Sequence, residues 1–169
     1  MTADATYRVG EEGPGFAALR ILAGALAWGA MMAVCALVSL VLDQQRGLSY
    51  HVALIVAYYL AGGFLAYVAA WPFVSWAVSR FSAPQRFGFT AILLTGFTLA
   101  ATASVLALDY RIYYSEWHAA IFSRTWFYQQ VFTALGSTYQ YLVIGSRLYW
   151  PLAPVFLLAT SWWLSRKAS

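Results

Sequence analysis

The sequence predicts an all-α integral membrane protein, a bundle of four transmembrane helices with an interfacial helix between the third and fourth. The first observation is composition: 62% of the 169 residues are hydrophobic and 18% aromatic. The second is that 9% are charged, against roughly 25% in an average soluble domain. A soluble domain could not cover itself with so few charges, because a folded surface needs polar groups that face water. The third is a series of long uncharged stretches. Together the three observations imply that much of the chain is in contact with lipid.

Four stretches are long enough to cross a hydrocarbon core, which is about 30 Å thick and needs roughly 20 apolar helical residues. The second is longer than a crossing requires, and Pro72 is the expected place for a kink. The fourth reaches full length only if its helix begins near Tyr141, which leaves Arg147 inside with its guanidinium reaching the headgroups. The chain is predicted to be one membrane domain, residues 1–169, with a tail at 1–16 and spans at 17–42, 51–79, 87–108 and 141–164.

The segment from Thr125 to Ser146 is also uncharged, but it is rich in glutamine. As a fifth span it would bury several amides with no evident partners, each costing some kcal/mol. We therefore predict an outer loop, residues 109–140, that carries an interfacial helix from about Glu116 to Leu135. This helix is expected to break at Gly136 and lead into the fourth span. The fifth-span alternative would place the C-terminus on the opposite side of the membrane.

Lysine and arginine near the span ends predict the orientation, because cytoplasmic loops carry an excess of them. The segment before the first span is polar and of mixed charge, unlike a removable signal peptide, so the first span is expected to be retained. We predict a multi-pass protein of a bacterial cytoplasmic (inner) membrane with both termini in the cytoplasm. The net charge of +4 fits this orientation, and no nucleic-acid partner is expected. The predicted cytoplasmic side holds Arg8, Arg20, Arg80, Arg86, Arg166 and Lys167, against Arg46, Arg111, Arg124 and Arg147 outside.

The outer loop combines charges with many aromatic rings. On a helical wheel, residues 116–135 are aromatic or aliphatic nearly all round, whereas a helix resting on headgroups keeps one polar face. Exposed aromatic patches that include an arginine are typical of protein interfaces. A membrane belt, a cover over the chain's own bundle and a ligand or catalytic site remain alternatives to partner docking. The candidate interface residues are Trp117, Ile121, Arg124, Trp126, Tyr128 and Phe132.

Small residues form stripes along the first three spans, and such stripes let helix backbones approach closely. They indicate internal packing of the bundle or, alternatively, binding of a partner's helix. Thr95, Thr98 and Thr102 share another face of the third span. Threonines in helices commonly bond to their own backbone carbonyls, and lining a substrate path is the alternative. The packing candidates are Ala25, Gly29, Gly62, Ala66, Gly96 and Ala100.

Catalytic chemistry has little support in the sequence. The single cysteine, Cys35, lies within a predicted span and has no second thiol for disulfide exchange. His51 and His118 fall at span ends, and neither has a partner at zinc-ligand spacing. An enzyme would require acids such as Asp43 and Asp109 to converge with Glu116 and His118 on one outer cavity. We expect no cofactor, no metal and no catalytic residue.

The function that these patterns favour is a non-catalytic accessory, assembly or scaffold subunit of a membrane protein complex. Its expected partners are membrane lipids and other membrane protein subunits. The alternative is a small transporter or lipid-handling component, acting alone or as a homo-oligomer. Pro72, Pro151 and Pro154 support that alternative, because broken helices can expose backbone to a substrate at membrane depth. The lack of acidic or basic residues deep in the spans disfavours an ion or proton carrier.

Overall fold

The computed structural model describes residues 14–166, so most of the tail expected at 1–16, and also Lys167, lie outside the described residues. Within this range the chain is helical almost throughout and has no strand. A π-helical turn, Ser39–Asp43, extends the first helix, and 3-10 turns follow the third and fourth. The α-helices of the described range are α1 (Pro14–Val38), α2 (Tyr50–Val78), α3 (Ala83–Tyr113), α4 (Arg124–Val143) and α5 (Leu152–Arg166).

Three helical segments of residues 14–166 are long and apolar enough to cross a membrane: Gly15–Asp43, Tyr50–Val78 and Ala83–Trp117. The predicted all-helical class is thereby confirmed, together with three helices that could span a membrane. The third segment has 35 residues, or roughly 52 Å at 1.5 Å per residue. It is therefore longer than a crossing needs, which leaves its C-terminal turns available to pack against the following part of the chain.

Serines mark the starts of three helices, because their side chains can satisfy backbone N–H groups that have no partner within the helix. The Ser49 hydroxyl accepts from the backbone N–H of Val52 at 3.4 Å, and Ser123 accepts from that of Trp126 at 3.0 Å. Ser82 forms a capping box in which the Gln85 side chain accepts from its backbone N–H at 3.0 Å.

Small residues let α1, α2 and α3 pack closely. A Cβ added to Gly29 would lie 2.6 Å from the carbonyl oxygen of Leu60, and one added to Gly62 would overlap the side chain of Thr102. The indole N–H of Trp28 in α1 donates to the Thr98 hydroxyl of α3 at 3.0 Å in the buried core. The three long helices therefore form the main body of the bundle.

The fourth predicted span is not one helix, so that prediction was wrong in its bounds. α4 ends at Val143, a 3-10 turn covers Gly145–Tyr149, and α5 then has only 15 residues. Pro151 prevents the 3-10 turn from continuing directly into α5, because it has no N–H to donate and disfavours helical backbone in the residue before it. Trp150 is accordingly extended, with φ −84° and ψ 140°. We call residues 144–151 the connecting segment.

The predicted interfacial helix was also wrong in its bounds. Glu116 lies in a 3-10 turn, Tyr114–Trp117, and α4 starts only at Arg124 and continues through Gly136. α4 packs against the C-terminal end of α3, where the Tyr110 hydroxyl donates to Gln140 Oε1 at 2.7 Å. This contact holds the helix together past the glycine that was expected to end it.

Two of the glutamines that would lack evident partners in a fifth span make hydrogen bonds in this fold, although Gln130 Oε1 is buried without a partner among the described residues. Gln129 Oε1 accepts the backbone N–H of Ala119 at 2.8 Å, and Gln130 Nε2 lies 3.1 Å from His118 Nδ1. These bonds fold the loop at 118–123 back onto the first turns of α4. Contacts between residues ten or more apart supply the hydrogen bonds that the linear sequence could not reveal.

Candidate functional site

The loop at 118–123 and α4 display large apolar side chains that the bundle of this chain leaves uncovered. Six of the residues between Trp117 and Phe132 are 61% to 90% exposed. Trp126 is the exception among the predicted rings, since it is half-buried, and Arg124 is exposed. We define the aromatic surface as the exposed residues Trp117, Ile121, Phe122, Phe127, Tyr128 and Phe132.

Phe122 is the most exposed member, at 90%, and its φ of 67° is in the left-handed region. This backbone conformation costs a bulky residue roughly 1–2 kcal/mol. It is held by the glutamine contacts described above and by the Ser123 cap that begins α4. A strained residue that presents a large ring to its surroundings is a candidate for a functional contact.

Neighbouring aromatic rings and one guanidinium pack against residues of the aromatic surface. Trp126 lies against Phe122 with ring centroids 5.8 Å apart, and the Arg111 guanidinium lies 6.0 Å from the Trp126 ring centre. Tyr113 contacts Trp117 with centroids 5.7 Å apart. The cation–π contact with Arg111 fixes Trp126 against α3.

The predicted packing residues divide between the interior and the surface. Ala25, Gly29, Gly62 and Ala66 are buried. Gly96 and Ala100 are exposed on α3, and a Cβ added to Gly96 would meet nothing within 4 Å. The small-residue stripe of α3 therefore lies outside the internal contacts of the described chain.

The three threonines of α3 behave differently from one another. Thr95 is exposed and bonds back to the carbonyl of Ala91 at 2.8 Å, as helix threonines commonly do. Thr98 and Thr102 are buried and bond to other segments, Thr98 to Trp28 and Thr102 to the hydroxyl of Tyr149 at 2.8 Å. Two of the three therefore join helices rather than only satisfying their own backbone.

A cluster of tyrosines holds the connecting segment, and the sequence analysis missed it. The Tyr59 hydroxyl of α2 donates to the carbonyl of Gly145, and Tyr141 donates to Tyr149 at 3.2 Å. The rings of Tyr59 and Tyr149 lie 5.0 Å apart. Buried tyrosines normally find a hydrogen-bond partner. Tyr59, inside a predicted span, was thus a sign in the sequence of a polar contact within the membrane region.

Two concave spaces lie beside α5. A groove of about 770 Å³ runs between α1, α2 and α5. A smaller cavity of about 290 Å³ borders the connecting segment, with Trp28, Thr98, Ser146 and Trp150 among its lining residues. Both spaces exist because α5 packs chiefly on α3 and only lightly on α1.

The described residues offer no assembled centre for metal or acid–base chemistry. No group of three or more His, Cys, Asp or Glu among residues 14–166 could hold a metal ion. Asp109 interacts with the hydroxyl of Tyr58 and His118 with Gln130. These candidates for the enzyme hypothesis thus make separate contacts with neutral side chains.

The fold places the chain among all-helical proteins, with three helices within the described residues that are long and apolar enough to span a membrane. Comparison with protein-family models, curated proteins and solved structures finds no match.

Proposed function

We propose that this chain is a non-catalytic accessory, assembly or scaffold subunit of a membrane protein complex, and that a partner subunit docks on its aromatic surface. The observation that carries the proposal is the exposure of six large apolar side chains in a segment that the chain's own bundle leaves uncovered. Aromatic residues and arginine are enriched in protein interfaces. Burial of each large ring is worth roughly 1.5–3 kcal/mol, so a partner that covers several of them would bind stably.

The proposed membrane arrangement has four crossings, with both termini in the cytoplasm of a bacterial cell. The C-terminal part of α4, the connecting segment and α5 would together make the fourth crossing. Its non-helical backbone packs against the bundle at Leu148, which is buried, and the bond from Tyr59 to Gly145 supplies one of its hydrogen bonds. Arg20, near the start of α1, and Leu164, near the end of α5, line the same groove, which supports placing both chain ends on one side.

Co-purification tests the docking role. The full chain, extracted in mild detergent, should bring down a partner in fixed stoichiometry. The double variant Trp117→Ala, Phe132→Ala should lose it, because both rings belong to the aromatic surface. Ile92→Ala is the matched control, since Ile92 is equally exposed, at 74%, but lies in the middle of α3. Retention of the partner by the double variant, or an activity kept by the lone monomer in nanodiscs, would contradict the proposal.

A second candidate function is transport or lipid handling, by the chain alone or as a homo-oligomer. The observation that favours it is the interrupted fourth segment beside the cavity of about 290 Å³, since broken helices form binding sites in many transporters. The purified chain, reconstituted alone in liposomes, would then move fluorescent phospholipid between leaflets. A cavity-filling Ala153→Phe variant should slow this movement. Leakage-corrected rates equal to those of empty liposomes would exclude this candidate.

A further inference from the structure

The groove between α1, α2 and α5 has apolar walls and one charged end. Its α1 side combines the small residues Ala23, Gly24 and Ala27 with the larger Trp28 and Met31. On the other sides lie large rings, among them Tyr67 and Trp71, which stack with centroids 5.9 Å apart. Gly24 leaves room for the Tyr67 hydroxyl, since a Cβ there would lie 2.5 Å from it. Small residues opposite large ones make the space concave.

The depth of the groove matches one leaflet. Its α1 wall runs from Arg20 to Met31 and its α2 wall from Tyr67 to Val78. The α1 wall is therefore about 16 Å long at 1.5 Å per residue. The α2 wall is displaced toward the chain termini, since Gly29 of α1 packs against Leu60 and Phe64 of α2. Half of a hydrocarbon core of about 30 Å is nearly the same length. An acyl chain of one leaflet would fill the groove from the surface of the core to its middle.

The charge at the open end is positive. Arg20 lines the groove together with Tyr67. Arg166 at the same end stacks over the ring of Trp162, 4.0 Å from its centre, and Trp162 also lines the groove. A guanidinium has five N–H donors and binds phosphate in a forked geometry. Arg20 can therefore donate hydrogen bonds to a lipid phosphate and to another neighbouring group at the same time. The acids within the described residues, Asp43, Asp109 and Glu116, belong to the opposite end of the bundle.

We infer that this groove binds one anionic phospholipid, with an acyl chain between α1, α2 and α5 and its phosphate on Arg20. The site does not rest on the proposed docking role, because the aromatic surface is at the other end of the bundle. The apolar walls hold the chain of any phospholipid, whereas the basic end selects a headgroup that keeps net negative charge.

Native mass spectrometry of the full chain tests the site. Protein released from bilayers of equal phosphatidylglycerol and phosphatidylcholine should retain one phosphatidylglycerol in preference to phosphatidylcholine. Arg20→Gln should lower this retention about ten-fold, the effect of losing one charge-assisted hydrogen bond. Arg46→Gln, which removes a charge at the other end of the bundle, should retain lipid as the wild type does.

A groove-filling variant separates a built site from the general lipid annulus. Ala27→Trp should lose both lipids, because the ring occupies the acyl-chain path, and Ala23→Leu on the same wall serves if Ala27→Trp does not fold. Equal retention of the two lipids by the wild type would overturn the inference. So would unchanged preference in Arg20→Gln, since either result means an adventitious annular lipid only.

Discussion

At the scale of single residues, the closest helix contact depends on Gly62. Its missing side chain makes room for Thr102, whose hydroxyl is in turn bonded to Tyr149. Gly62→Ala should lower the free energy of unfolding by about 1–3 kcal/mol, because Thr102 cannot move without losing that bond. Gly96→Ala is the matched control, since the space around Gly96 is open. Reversible unfolding in detergent measures both, and equal effects would refute the packing that we describe.

Phe122 allows folding and docking to be separated at one residue. Phe122→Asn should leave the free energy of unfolding unchanged or raise it by up to about 1 kcal/mol, because asparagine tolerates the left-handed backbone better than phenylalanine. The same change should weaken partner capture, since it removes the most exposed ring of the aromatic surface. The free energy of unfolding and the amount of co-purified partner, both measured on this variant, distinguish the two roles of the ring. A large loss of stability would mean that the ring serves the fold instead.

At the scale of elements, the connecting segment depends on the tyrosine cluster. Tyr59→Phe removes the donor to the carbonyl of Gly145 and should cost about 1–3 kcal/mol if that carbonyl is left unsatisfied. Hydrogen exchange should therefore speed up around residues 144–151 while α1 stays protected. Tyr50→Phe is the control, because Tyr50 is exposed at the start of α2. Equal exchange in both variants would show that Tyr59 does not hold the segment.

The helices that the sequence predicted well are those whose determinants are local. The first three spans are long uncharged runs, and serine caps such as Ser49 and Ser82 lie next to the residues that they serve. α4 was misplaced because its determinants are distant, as in the bond from Tyr110 to Gln140. In the fourth predicted span, Pro151 was a local sign that the helix would be interrupted. Its apolar composition nevertheless suggested one continuous helix.

At the scale of the whole molecule, composition was enough to indicate a membrane protein but not the surface that would give it a function. The residues of the aromatic surface could be named from the sequence, with the exceptions of Phe122 and Phe127. Their exposure depends on how the loop at 118–123 folds back through Gln129 and Gln130. The tyrosine cluster and the groove at Arg20 arise where three helices meet. No single stretch of sequence could indicate them.

Site-specific photo-crosslinking in living cells tests the central claim, that the aromatic surface docks a protein partner, most directly. A photoreactive amino acid would replace Phe122 or, as the control, Ile92 of α3, which is also largely exposed, at 74%. Docking predicts one discrete protein adduct from position 122, in constant ratio to the chain, and no such adduct from position 92. Adducts with lipid alone at position 122, or the same protein adducts at both positions, would contradict the claim.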